Sequence, residues 1–481
     1  MRMWGLPEAI HWHGLAKMCR RAGPGWTRGP NSAWLLRAAE GLPLGLRHRI
    51  FTPTQNMKRI PAFICVAGAL LLGAAAFGQD LPSAKPESVG LSSARLERIA
   101  AAVQRDVDGK RISGAVTLVV RHGQVAWFDA RGMEDREAGR PMQKDAIFRI
   151  CSMSKPITSA AVMMLYEEGK FLLEDPISKY LPEFKNPRVL VKPASGAPYT
   201  IPATREITIR DLLRHTSGLT YQWNADLGQA YADANVGSGL LQYDGTIGDN
   251  VGRLAKIPLL FNPGDRFEYS LSVDVLGRLV EVASGMPFDQ FLKTRILDPL
   301  GMKDTCFFLP PDKVARLATA YTYYDGKGLG RFPDKPIAEG PMVYSADYPY
   351  NGPKKLFSGG AGLVSTAMDY ARFCQMMLGG GALGDVRILS RKSVELMSHD
   401  QLGKIDGDRG FGLGFGVDGV KGPLAEVGSP GSYSWGGFFY TEFVIDPKED
   451  MVVISMAQLH PTGDLTLESR VQALAYQALS D

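Results

Sequence analysis

The apolar positions change period several times along this chain, and the changes mark out its elements. Leu96, Ile99 and Val103 recur at helical spacing behind the capping residue Ser92, which predicts an amphipathic helix from about Leu91. Ala115–Val120 is a β-branched run and reads as a buried strand; the His122-Gly123 turn and Val125–Phe128 complete a hairpin. A helix follows from about Ser152, through the apolar run Ala160–Leu165, to Gly169. Ile207–His215 passes from a β-branched start into a short helix, which Thr216-Ser217-Gly218-Leu219 ends in a glycine turn. Phe261–Ser270 is a turn and a short extended piece before the apolar helix Val273–Ala283, with Leu276, Leu279 and Val280 on one side. A tight glycine turn, Phe357–Leu363, precedes a helix through Phe373 and Met377. Phe411–Val417, Tyr433–Ile445 and Met451–Met456 read as strands, the last two joined by the turn Asp446–Asp450, and Leu465–Leu479 is a closing amphipathic helix. Residues 221–262, polar and Gly-rich, and 321–355, rich in Tyr, Pro and Gly, have no such period and read as loops that shape a binding site. Strands near both ends thus flank a helical middle with no repeat, which predicts one α/β (α+β) unit, residues 80–481, with a helical insertion.

The N-terminus breaks this pattern. Residues 1–56 carry eight Lys and Arg against two Asp and Glu, with no sustained period. Met57-Lys58-Arg59 then precedes the apolar run Phe63–Phe77 with its small residues Ala74-Ala75-Ala76, the order of a secretory signal peptide over residues 57–79. The run is too short and too rich in Ala and Gly for a transmembrane span. The expectation is that Met57 is the start, that residues 1–56 are an upstream artefact or extension, and that the chain is exported, periplasmic or secreted. Removing this region leaves 44 basic and 48 acidic residues, so the formal charge of +4 becomes about −4. The basic excess therefore belongs to the leader, and nothing points to nucleic acid or, beyond export, to a membrane. Cys151, Cys306 and Cys374 remain, an odd count with no C-x-x-C and no clustered His, which fits neither a disulfide framework nor a zinc site.

Candidate chemistry begins at Ser152-Met153-Ser154-Lys155, an S-x-x-K motif at the head of the apolar helix. Residues three apart share a helix face, so the Lys155 amine can stand beside the Ser152 hydroxyl. Pro156 is tolerable in a first turn that has no use for its missing N–H. A serine is a weak nucleophile until a neighbouring base takes its proton, and an adjacent lysine can serve. Ser154 has no such partner, because Ile157 stands three residues on. Taken alone the motif reads first as a serine capping a helix beside a solvated lysine. His215 has no partner motif around it and reads as a histidine bonding loop backbone, and no G-x-S-x-G elbow occurs anywhere in the chain.

Three motifs in order change the weighing. Ser152-Met153-Ser154-Lys155, Tyr269-Ser270-Leu271 and Trp435-Gly436-Gly437 resemble, in order and rough spacing, those of the serine β-lactamases and penicillin-binding proteins. His215–Leu219, Pro263-Gly264 and Ser358–Leu363 look like the same superfamily, and the resemblance covers nearly all of residues 85–480. It implies a β-lactamase/transpeptidase-like fold: an antiparallel sheet flanked by helices, with an inserted helical region. Two departures bear on substrate. Leu271 stands where class C enzymes usually carry an Asn, and Trp435 where a Lys or His would pair with a β-lactam carboxylate. Y-S-L with W-G-G is similar instead to the family VIII carboxylesterases, hydrolases of simple esters.

The resemblance implies Ser152 as nucleophile, with Lys155 and Tyr269 sharing the proton work. The backbone N–H groups of Ser152 and Phe438 would form an oxyanion hole, with Trp435, Gly436 and Gly437 lining the substrate. It implies no metal and no organic cofactor, and a small-molecule ester as substrate. A β-lactamase or D,D-peptidase with relaxed motifs, an acyltransferase, and a catalytically dead cell-wall-associated binding protein are the alternatives.

Overall fold

The computed structural model describes residues 81–405, 410–420 and 426–481. The expected upstream segment 1–56 and the signal peptide 57–79 lie outside the described residues. Among the described residues no helix is long and apolar enough to cross a membrane.

The first helix, α1 (Ser93–Asp108), starts where Ser92 accepts the Arg95 N–H as its cap. The strands β1 (Gly114–Arg121), β2 (Gln124–Asp135) and β3 (Arg140–Pro141) follow. His122 and Gly123 both take the left-handed conformation, so two residues suffice to turn the hairpin. After these come α2 (Ser154–Glu167), α3 (Ser272–Ser284) and α4 (Ala367–Leu378). The chain then returns to strands in β4 (Gly410–Phe411), β5 (Gly416–Val417), β6 (Tyr433–Gly437), β7 (Thr441–Asp446) and β8 (Met451–Met456), and ends in α5 (Leu467–Tyr476).

These strands form one eight-stranded sheet in the order β4-β5-β6-β7-β8-β1-β2-β3. Every neighbouring pair is antiparallel. The first and last strands are neighbours inside it, with Leu118 opposite Ile454. Both faces are covered, which is why β1 reads as an unbroken apolar run. Val116, Leu118 and Val120 face the large core with Ile157, Ala161 and Phe373 of α2 and α4. Ala115 and Val119 face a second core with Leu96 and Ile99 of α1 and Val471 of α5. This is the antiparallel sheet flanked by helices that the sequence implies.

Four parts of the chain differ from the sequence reading. The stretch Phe411–Val417 is not one strand: β4 and β5 fold back on each other, with Phe411 opposite Gly416. The apolar stretch 433–445 is two strands, because Phe438-Phe439-Tyr440 turns the chain with Tyr440 left-handed. Residues 221–262 hold two short helices, Gly228–Asp233 and Ile247–Leu254, the second opened by a capping box between Thr246 and Asp249. Residues 321–355 hold two small hairpins, Tyr321–Tyr324 with Gly328–Arg331 and Ile337–Glu339 with Met342–Tyr344.

Candidate active site

Ser152 sits in a 3₁₀ turn, Cys151–Met153, that leads directly into α2. Lys155 stands three residues on, in the first turn of that helix, which puts it on the same side as Ser152. The geometry of the serine turn is held from three sides. Tyr370 donates to the Met153 carbonyl at 2.8 Å, Leu363 N–H donates to Ser154 Oγ at 3.1 Å, and Thr158 Oγ1 donates to the Gly359 carbonyl at 2.8 Å. Ser154 is thus a buried latch to the glycine turn. Cys151 is held in the left-handed region immediately before Ser152, a conformation that non-glycine residues adopt where surrounding structure enforces it. Burial pushes the Cys151 thiol up to about 11, so it does not compete as a nucleophile.

Lys155 is 1% exposed. Its Nζ donates to Ser152 Oγ at 3.2 Å, to Tyr221 Oη at 3.1 Å and to the Gly360 carbonyl at 2.7 Å. Its closeness to Gly360 depends on glycine: a Cβ there would stand 3.5 Å from Nζ and 2.7 Å from Asp274 Oδ2. Tyr269 meets Lys155 through its ring, whose centroid is 4.5 Å from Nζ, a cation–π contact. Its hydroxyl instead accepts from Trp435 Nε1 at 3.3 Å. The tyrosine that bonds Lys155 is therefore Tyr221, which the sequence reading left inside a loop. Burial first, then Tyr269 and Asp274, hold Tyr221 well above the ordinary phenol range, so it stays a neutral hydroxyl.

His215 packs against the Tyr269 ring with centroids 4.8 Å apart, and its Nδ1 accepts the Ser270 backbone N–H at 3.2 Å. Burial, helped by the charge of Lys155, holds the imidazole well below its usual value and therefore neutral. It supports the Tyr269 segment and does not reach Ser152 through any hydrogen bond. Leu271 is fully buried in the core, so the third position of its motif offers nothing to a substrate.

Trp435 is half-buried at the edge of the core, between Tyr269 and Phe411. The two glycines after it differ. A Cβ on Gly437 would overlap the Ile150 carbonyl and Thr441 Oγ1, so glycine is required for β6 to lie against the serine turn. A Cβ on Gly436 would meet only the Thr441 carbonyl at 3.4 Å, leaving open space beside it. Among the described residues, no acceptor is hydrogen-bonded to the amide of Ser152 or of Phe438. Trp223, 48% exposed, stacks on Tyr221 at 4.1 Å and runs parallel to Tyr269, so three aromatic side chains form one wall beside Lys155.

A serine hydroxyl beside a buried lysine, at the head of a helix packed under an antiparallel sheet, fits a serine hydrolase. The chain belongs to the β-lactamase family, whose model matches residues 99–477. It is 37% identical over 385 residues to Protein Rv1367c of Mycobacterium tuberculosis, covering 77% of this chain and 91% of that one. It is 33% identical over 404 residues to Esterase EstB of Burkholderia gladioli, covering 81% of this chain and 97% of the esterase. Among solved structures, EstCE1, described as a hydrolase with promiscuous acyltransferase activity, superposes with a TM-score of 0.68 at 29% identity, over 81% of this chain and 99% of EstCE1.

Proposed function

We propose that this protein hydrolyses carboxylic esters of small or medium acids through an acyl-enzyme on Ser152. The observation that carries the reading is the bonding of Lys155. The Gly360 carbonyl can only accept, and Tyr221 Oη takes a second N–H. Those two bonds hold the amine with Ser152 Oγ 3.2 Å away, so that its unprotonated form would have its lone pair free for the serine proton. Lys155 then takes the serine proton as Ser152 attacks the ester carbonyl, and gives the same proton to the departing alcohol. The amides of Ser152 and Phe438 receive the oxyanion; such a donor contributes about 3–4 kcal/mol in the transition state. Water repeats the sequence to free the acid.

Ester, rather than β-lactam, is favoured by two positions. Trp435 presents an indole where a cation would hold a carboxylate, and Leu271 is turned into the core. The likeness to Esterase EstB agrees with this. Turnover of p-nitrophenyl butyrate, lost in Ser152→Ala, with nitrocefin turned over slowly or not at all, is the expected result. Fast nitrocefin and negligible butyrate turnover would reverse the assignment. Export belongs to the same proposal: a product beginning near Gln79 in the periplasm or medium is expected, and peptides from residues 1–50 in the expressed protein would contradict it.

A further inference from the structure

Asp274 lies on the third residue of α3, 1% exposed, behind the Ser152–Lys155 pair. Neither of its carboxylate oxygens completes a hydrogen bond. The Ser358 hydroxyl and the Gly360 amide face it and ease its charge only in part. A methyl group placed on Gly360 would begin 2.7 Å from Asp274 Oδ2, 3.4 Å from Tyr221 Oη and 3.5 Å from Lys155 Nζ, so all three groups converge on the bare face of that glycine. A carboxylate serving only the helix dipole could do so from the surface, where it would keep its water. Here it is carried into the core, next to the buried Lys155 side chain.

We infer that Asp274 is a positioning residue for Lys155: its ionised carboxylate balances the charge that Lys155 gains on taking the Ser152 proton. The inference rests on the reading of Lys155 as base. The balance is simple. The O–H bond of Ser152 breaks as an N–H bond forms on Lys155, the amine becomes an ammonium in a buried site, and the carboxylate that meets the same glycine face is Asp274. The logic is that of the aspartate behind the histidine in serine proteases, which stabilises the protonated base and touches no substrate. The other titratable groups facing this corner do not supply that charge: Tyr221 and Cys151 keep their protons, His215 is neutral, and Tyr269 offers its ring.

The test compares acylation of Ser152 by a fluorophosphonate, and turnover of p-nitrophenyl butyrate, across pH 5 to 8 in the wild type and in Asp274→Asn. Burial pushes the Asp274 carboxyl up to about 6, so the wild-type rate should rise through an acid limb near that pH. Asp274→Asn should acylate 10- to 100-fold more slowly at pH 7.5, with unchanged KM, and the limb should be gone. Its melting temperature at pH 7.5 should be equal or higher, because a buried unbonded charge has been removed. A substitution that merely damaged packing would lower the melting temperature and leave the pH dependence in place; that result overturns the inference. So does a wild-type profile flat between pH 5 and 7.5, which needs no variant to fold. A wild type that the fluorophosphonate does not label at all refutes Lys155 as base, and is thereby told apart from failure of Asp274 alone.

Discussion

Two aspartates in this protein occupy the same place in two helices and behave oppositely. Asp211 and Asp274 are each the third residue of a helix, Ile209–Leu213 and Ser272–Ser284, and each is buried. Asp211 is surrounded by donors: Thr208 closes a capping box on it, Arg205 Nη2 reaches it at 3.0 Å, and the Thr216 hydroxyl at 2.9 Å. Burial works to raise its pKa, but Arg205 and the Thr208 amide outweigh it and hold the carboxyl below its usual value. Asp274 follows Leu271, which cannot cap, and burial dominates its carboxyl. Burial and helix position are alike; the partners decide. A carboxylate given every partner stabilises the fold, and one left without them beside a reactive amine is held there by what it does for that amine.

The largest effect tests the amine that the second aspartate faces. Lys155→Met should lower kcat/KM by about 1,000-fold or more, the range of a lost general base, while the protein stays folded. Survival of most of the activity would remove the reason for a charge at Asp274. The next effect tests the first aspartate. Asp211→Asn should lower the unfolding free energy by about 3 kcal/mol in urea titrations at pH 7, because Arg205 and Arg214 lose the charge that answers theirs. The half-exposed Arg205 keeps its water, which places the loss at the low end for a broken buried pair. Residual enzyme should turn over at the wild-type rate. A large change in kcat with little change in stability would erase the distinction between the two sites.

Much of this arrangement is visible in the sequence. The S-x-x-K spacing, the glycine turn Ser358–Leu363 and the β-branched first strand are local signals, and the structure puts each where its period or turn chemistry requires. Tyr221 was not legible because its meaning is a hydrogen bond to a residue 66 positions earlier. Its neighbourhood does carry a trace, the pair Tyr221 and Trp223 just past a glycine turn, but aromatic pairs are common. Thr246 and Asp249 were readable as a capping box and would have turned one stretch of the presumed loop into a helix. The turn at Phe438–Tyr440 was hidden by its own composition. Three aromatic residues look like strand, and the left-handed conformation falls on Tyr440 rather than on a glycine. Asp274 looks like any acidic residue in a first turn until the glycine opposite shows how closely the backbone comes.

A smaller effect sets the two aspartates against each other through pH. Asp211, with its folded pKa depressed, contributes stability above the ordinary carboxylate range of about 4, and that contribution is lost as pH falls through and below it. Asp274, raised to about 6, works the other way: the folded state binds its proton more tightly, so stability falls as pH rises from about 4 to 6 and stays reduced above. The difference in unfolding free energy between wild type and Asp274→Asn should therefore move by roughly 2–3 kcal/mol between pH 4 and 7, with the wild type losing ground at the higher pH. Packing changes cancel in that difference, since they are present at both values. A difference independent of pH would mean that Asp274 finds partners in solution and belongs with Asp211 after all.

The smallest effect concerns the outer aromatic. Trp223 is nearly half exposed and rests on Tyr221, so its removal leaves little unpacked and should change stability by less than about 1 kcal/mol. Tyr221 beneath it would lose a stacking partner but keep its bond to Lys155, which is made through the hydroxyl. The rate of the chemical step should therefore survive in Trp223→Ala. What should change is the hold on a flat substrate group laid against the wall of Trp223, Tyr221 and Tyr269: KM for a p-nitrophenyl or benzoyl ester should rise about 3- to 10-fold, and KM for ethyl butyrate should stay nearly constant. Equal losses for both substrates, or a loss confined to kcat, would mean that Trp223 acts through Tyr221 on Lys155, and the aromatic wall would then join Asp274 as part of the support for the base rather than a surface for the substrate.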